Sequence, residues 1–135
     1  MKLFQQKSVI EKYDDVKSFV EAYNIGADDF ILATKRIYET CFAPLNLKAH
    51  VEYKSKYGSG EPTDVMIDAL LEDFRQGDYK RIIAIGGGAV IDMAKILVLD
   101  GEAKAESYYR KEVPLRKVRT LLAVPTTCGA GSEVS

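Results

Sequence analysis

The chain has 135 residues, 47% of them hydrophobic, with 19 Lys and Arg against 20 Asp and Glu. That length and apolar content fit one compact domain with a core and exclude a disordered chain, while the near-balanced charge argues against a nucleic-acid partner. No apolar stretch approaches the length of a membrane span, and the opening MKLFQQKSVIEKYDD has no apolar signal-peptide centre, so no membrane partner is expected.

In chain order, residues 2–12 mix Phe4, Val9 and Ile10 with polar residues and read as an extended opening. Asp14 and Asp15 precede Val16, Phe19, Val20 and Tyr23, which is helical spacing behind an acidic start; Asn24-Ile25-Gly26 stops it. Phe30–Ala33 is a short apolar run that predicts a buried strand, and a helix over Arg36–Phe42 follows, ended by Pro44. His50–Tyr53 alternates as a third strand, Tyr57–Gly60 is a loop, and Pro62 opens a helix carrying Val65, Met66, Ala69, Leu70 and Phe74 as far as Gly77. Arg81–Ile85 is the clearest strand, Gly86-Gly87-Gly88 turns the chain, and Ala89–Leu99 reads as a helix. Residues 100–117 read as charged and irregular, and Leu121–Val124 as a last strand before a small-residue loop.

Continuous apolar strands alternating with amphipathic helices predict an α/β fold. It is an open parallel sheet with helices on both faces, Rossmann-like or flavodoxin-like. The chain stops inside the loop 129–135, which reads as a truncated amino-terminal domain with residues 1–135 as its dinucleotide-binding part.

Single residue counts restrict the chemistry. His50 is the one histidine, so a mononuclear metal site or a His-based catalytic pair has little to draw on; in a strand it reads as a packed or surface residue. Cys41 and Cys128 fit no zinc or redox spacing, and reduced thiols in a cytoplasmic protein are expected. Cys128 has no neighbouring base and is not read as a nucleophile.

Two loops carry the functional signal. Gly86, Gly87 and Gly88 lie between a strand and a helix. Glycine lets the main chain approach a ligand, and the helix offers free N–H groups to a phosphate. The pattern is neither GxGxxG nor GxxxxGK[ST], and a tight turn without a ligand is the competing reading. Asp92 reads either as part of the site or as a first-turn acid supporting the helix, and Lys95 as a solvated residue. In the second loop, Pro125–Glu133, the hydroxyls of Thr126, Thr127 and Ser132 suit a ribose or phosphate, or simply cap a following helix.

Together, GGGAVIDMAK and PTTCGAGSE resemble the paired cofactor signatures of the iron-containing alcohol dehydrogenase family, GGGSxxDxAK and PTTxGTGSE. The turn Tyr57–Thr63 falls where the family has one ending in Asn-Pro-Thr. The resemblance covers the amino-terminal part of a family member. It implies that Gly86–Gly88 lie against the pyrophosphate of NAD, with NADP possible, and that Thr126 and Thr127 contact the nicotinamide half or its phosphates. It implies mainly structural and electrostatic roles for Asp92 and Lys95. It also implies a small alcohol or aldehyde substrate, and a divalent iron or zinc held by one Asp and three His of a helical domain absent from this sequence. Ala89 and Ala130 stand where the family has Ser and Thr, removing two polar contacts. Lys35 stands where NAD-preferring members carry Asp, which leaves cofactor choice open. Three readings follow: part of a dehydrogenase, a stand-alone nucleotide-binding module, or an inert folded fragment. Apolar surface exposed without the helical domain would favour a homo-oligomer.

Overall fold

The computed structural model describes residues 11–13, 15–124 and 132–134. Four parallel strands form the sheet: β2 (Asp29–Ala33), β3 (His50–Tyr53), β4 (Arg81–Ile85) and β5 (Thr120–Val124). Their spatial order is β3-β2-β4-β5. β1 (Glu11–Tyr13) pairs antiparallel with β6 (Ser132–Val134) in a separate two-stranded ribbon, so the tail expected as loop is partly a strand.

Alternation along each strand builds two cores. Phe30, Leu32, Ile82, Ala84 and Leu121 face α3 (Asp64–Phe74), α4 (Gly88–Lys95) and α5 (Ala105–Tyr109). Ile31, Ala33, Ile83, Ile85, Leu122 and Val124 face α1 (Val16–Tyr23) and α2 (Lys35–Cys41). The helices therefore divide by direction of travel. The β2–β3 connection runs one way along the sheet, and the β3–β4 and β4–β5 connections run the other. Right-handed crossovers put those two sets on opposite faces.

Local signals set the boundaries. Asp15 accepts from the Ser18 amide at 2.7 Å, and Thr63 accepts from the Met66 amide at 3.2 Å, each worth about 1 kcal/mol to its helix. Asn24 takes the left-handed conformation (φ 52°, ψ 52°) that ends α1, as the Asn-Ile-Gly stop predicts. The helix α3 starts at Asp64 behind its Thr63 cap, two residues later than Pro62 implied, and α4 tightens into a single 3₁₀ turn at Ile96–Val98 rather than continuing to Leu99.

The stretch 100–117 departs most from its expected irregularity. It contains α5, whose Ala105 amide donates to Asp68 Oδ1 at 2.7 Å. Tyr108 is 1% exposed, donates to the Asp100 carbonyl at 3.0 Å and accepts from Arg75 at 3.1 Å. A buried aromatic with both hydroxyl roles filled orders a segment whose charge made it look like solvent-facing loop. Cys41, half-buried on α2, is disulfide-bonded, against the reduced thiols expected; its partner lies outside the described residues.

Candidate dinucleotide-binding site

The two crossover directions diverge at β2 and β4. Neighbouring strands whose connections leave to opposite faces open a crevice at their carboxyl ends, the usual place for a ligand in such sheets. Three backbone features define that crevice. The Thr34 amide donates to the Ile85 carbonyl at 2.8 Å, tying the end of β2 to β4. The Gly86 amide donates to the Val124 carbonyl at 3.1 Å, tying the glycine turn to the end of β5. Gly86 has φ +153°, and a Cβ there would sit 2.6 Å from Thr34 Oγ1 and 2.9 Å from Val90 Cγ2. Only glycine passes between these two side chains without displacing one of them.

Gly87 then caps α4 in an extended conformation with no side-chain hydrogen bond, and Gly88 starts the helix, exposed, with open space where its Cβ would be. The first amide of α4 with an acceptor is Ile91, donating to the Gly87 carbonyl at 3.1 Å. Among the described residues the Gly88, Ala89 and Val90 amides have none. Unpartnered N–H groups, a positive helix end and a missing side chain make a cradle that fits a phosphate. Gly86 thus shapes the turn, and Gly87 and Gly88 form the surface a ligand would meet.

The other expected residues divide. Lys35, the first residue of α2, lies at the same sheet edge, its ammonium 5.9 Å from the Tyr53 ring centroid. Asp92 is not in the first turn of α4 as expected; it lies in the second, 3.6 Å from Lys95 Nζ. Its charge, after burial and that of Asp64, helps hold the Tyr109 hydroxyl above the ordinary tyrosine range, so it faces α5. Lys95 is therefore an ion-pair partner rather than a freely solvated residue. Thr126 and Thr127, with Cys128 and Ala130, lie outside the described residues, although β5 ends at Val124 beside Gly86. Ser132 lies in β6, opposite Tyr13.

Sequence reasoning missed the far wall of the crevice. A cavity of about 310 Å³ between the ends of β2 and β3 is lined by Thr34, Lys35, Arg36, Lys54, Ser55 and Ser59. Lys54 Nζ donates to the Gly58 carbonyl at 3.0 Å and the Gly60 carbonyl at 2.7 Å, fixing the turn that forms this wall. Below it, Tyr57 donates to Asp73 at 2.7 Å, and Lys56 bridges Asp73 (3.0 Å) and Glu52 (3.1 Å), with His50 2.7 Å from Glu52. Burial, then the bond to Asp73, pushes the Tyr57 hydroxyl far above its ordinary range. Burial works against Asp73, but its bonds from Tyr57 and Lys56 win and hold the carboxyl below the usual range. His50, exposed, stacks on Phe30 with 5.2 Å between ring centroids, which fits the packed or surface role expected of it.

Residues 2–135 match the family model described as iron-containing alcohol dehydrogenase. The chain belongs to that family. It is 41% identical over 135 residues to a 4-hydroxybutyrate dehydrogenase of Clostridium kluyveri, covering all of this chain and 36% of that protein. It is 38% identical over 84 residues to an alcohol dehydrogenase of Thermococcus barophilus, covering 56% of this chain and 22% of that one. Among solved structures, a sulfoacetaldehyde reductase from Bifidobacterium kashiwanohense, crystallised in complex with NAD+, superposes with a TM-score of 0.62 at 21% identity. That match covers 84% of this chain and 32% of the reductase and establishes the fold. The chain thus spans about a third or less of the length of these relatives. Among the described residues, no group of three or more His, Cys, Asp or Glu is placed to hold a metal ion, so no step is assigned here to the family's metal.

Proposed function

We propose that this chain is the nicotinamide-dinucleotide-binding part of a metal-dependent alcohol dehydrogenase of the 4-hydroxybutyrate dehydrogenase type, interconverting 4-hydroxybutyrate and succinate semialdehyde. The observation that carries the reading is the exposed Gly88 at the amino end of α4, where among the described residues the Gly88, Ala89 and Val90 amides have no acceptor, at the crevice between β2 and β4. The relative that matches along the whole chain supports the substrate class.

In this reading the dinucleotide supplies hydride acceptance when bound, and these residues bind and orient it. The Gly88, Ala89 and Val90 amides donate to pyrophosphate oxygens, each bond to a charged acceptor being worth roughly 1.5–3 kcal/mol. Gly86 and Thr34 hold the strand ends so that the turn does not shift, and the hydroxyls of Thr126 and Thr127, which follow β5 in sequence, are the proposed further contacts to the dinucleotide. The metal ligands and most substrate contacts come from outside residues 1–135. A cytoplasmic location and a homo-oligomeric state belong to the same proposal. No helix among the described residues is long and apolar enough to cross a membrane. The exposed apolar surface on which the homo-oligomer rests is limited, among the described residues, to Val65 and Val118 as large exposed apolar side chains.

The test is a titration of the complete protein carrying this chain with NADH and NADPH, followed by nicotinamide fluorescence. A Gly88→Ala variant is expected to bind at least about tenfold more weakly, because the added methyl occupies the approach to the amides. Absence of binding of either dinucleotide, or an unchanged affinity in the variant, would sink the reading. Residues 1–135 alone are expected to reduce no NAD with 4-hydroxybutyrate, and turnover by them would overturn the placement of the chemistry elsewhere.

A further inference from the structure

The two large apolar side chains exposed among the described residues, Val65 (78%) and Val118 (43%), stand in surroundings of opposite charge. We infer that they pair between two copies of this chain, Val118 of each copy seated in the groove beside Val65 of the other, in a two-fold dimer. The inference rests on the homo-oligomer proposed above, gives it a surface, and is independent of the dinucleotide reading.

The surroundings of Val65 are acidic. It sits in the first turn of α3, above a groove of about 630 Å³ between that helix and residues 102–104. Asp64 precedes it, and the groove carries Asp68, Glu72 and Glu102 against Arg75 and Lys104. Arg75 is committed inside the fold, to the Ala103 carbonyl at 2.9 Å and the Tyr108 hydroxyl at 3.1 Å. Glu72 and Glu102 are exposed, and among the described residues they meet no cation. Ala69, exposed one turn after Val65, leaves room over the helix for an incoming side chain of valine's size.

The surroundings of Val118 are the reverse. Arg110, Lys111, Arg116 and Lys117 stand in the segment leading to it, with Glu112 as the acid, all of them exposed. Arg110 meets Glu106 at 2.8 Å and Arg116 meets Asp100 at 3.8 Å, each pair more than half exposed. Such pairs hold little energy against a new partner. Lys111 and Lys117 meet no acid among the described residues. The segment is also ordered before any contact is made. Lys111 turns the chain in the left-handed conformation (φ 56°), and the Glu112 amide donates to the Ser107 carbonyl at 2.9 Å. The Val118 amide donates to the Val98 carbonyl at 2.8 Å. A pre-ordered segment spends little entropy on docking.

Placement makes the pairing reciprocal. Both valines belong to the face of the sheet that carries α3, α4 and α5. Val65 lies near the carboxyl ends of the strands, where α3 starts, and Val118 at their amino ends, two residues before β5. A two-fold axis perpendicular to this face turns the second copy end for end. Each Val118 then arrives where the other copy's Val65 sits, and each basic segment lies over an acidic groove. The contact is made twice and the rotation closes, so this face stops at a dimer. With little apolar area and many exposed charges, the association is sensitive to salt.

The experiment is sedimentation of the complete protein carrying this chain over a concentration series, at low and at raised salt. A dimerisation step is expected whose dissociation constant rises at least about tenfold with salt. The Glu72→Lys, Glu102→Lys pair and the Lys111→Glu, Lys117→Glu pair are each expected to weaken it at least about tenfold. All four substitutions in one chain make the charges complementary again and should recover most of the affinity. The four side chains are exposed, so an unchanged melting temperature certifies the fold. Should a variant melt lower, the unmodified protein decides, and association indifferent to salt overturns the pairing. A monomer at every concentration overturns the inference together with the homo-oligomer. An oligomer that neither charge reversal weakens, or that the fourfold variant does not restore, overturns the inference alone. None of these outcomes touches the dinucleotide reading.

Discussion

The two ends of the sheet treat polar groups in opposite ways. At the amino ends of the strands, Asp29 is 2% exposed and accepts from Arg81 at 2.7 and 2.9 Å and from the Gly26 amide at 2.8 Å. Arg81 spends a further donor on the Tyr23 carbonyl at 2.8 Å. Arg119 bonds the carbonyls of Tyr79, Leu97 and Leu99 at 3.0–3.2 Å. At the carboxyl ends, the Gly88, Ala89 and Val90 amides and the Lys35 and Arg36 head groups have no such partners among the described residues. A groove of about 740 Å³ also lies at the amino end, larger than the cavity at the carboxyl end; its buried pair, Asp29 and Arg81, is closed on itself, while Asp28, Lys48 and Lys80 line its rim. Size does not mark the site here. Unsatisfied donors gathered at one edge do.

That contrast can be broken by substitution. The largest effect is expected from Asp29→Ala, which leaves the Arg81 guanidinium half-paired under the sheet and lowers stability by roughly 3–5 kcal/mol in chemical denaturation. A loss under about 1 kcal/mol would mean the amino end is not the closed structural edge described. Gly86→Ala comes next, since a side chain at φ +153° collides with Thr34 and Val90; a loss of roughly 2–4 kcal/mol is expected. Tyr57→Phe removes one bond to a carboxylate that keeps Lys56, and about 1 kcal/mol should be lost in thermal melting. Gly88→Ala closes the series with a stability change within about 0.5 kcal/mol, because its Cβ meets nothing. Gly86 and Gly88, two positions apart, therefore separate a residue needed by the fold from one needed by a ligand.

The Tyr57–Asp73 pair adds a pH signature. The folded-state pKa of Asp73 is depressed, so its stabilisation is complete above the unfolded carboxylate value of about 4 and is lost as pH falls through the lower folded value. Asp73→Asn should thus differ from the parent protein at pH 6 and converge with it on acidification below about pH 4. Tyr57 has a raised folded pKa, so its contribution holds below the ordinary tyrosine value of about 10 and is lost as pH rises beyond it. Melting curves across both limits check the two signs.

How much of this was legible in the sequence depended on whether the information was local. Arg81–Ile85 followed by three glycines announces a strand, a turn and a helix within a dozen residues, and α1 carries its cap and its stop in its own sequence. Lys35 was visible through the family resemblance, which places Asp at that position in NAD-preferring members. Lys54, Ser55 and Ser59 were not read as site residues, because only the parallel pairing of β2 with β3 makes them neighbours of Lys35 and Arg36. The signal that was there is that Lys54 follows β3 as Lys35 nearly follows β2, two basic residues leaving adjacent parallel strands. Asp92 was misplaced by the start of the helix: counting from Gly88 puts it in the second turn, beside Lys95. Tyr108 was overlooked since charged neighbours hid a core residue.

The amide of Thr34 bonded to Ile85, and that of Gly86 bonded to Val124, staple three strand ends into one ledge. The first staple needs β2 docked on β4 and the second needs β5 docked on β4, so the two together exist only when all three strands are in register. Deuterium uptake at these two amides should accordingly follow opening of the whole sheet rather than fraying of its edge, and a bound dinucleotide should slow both together.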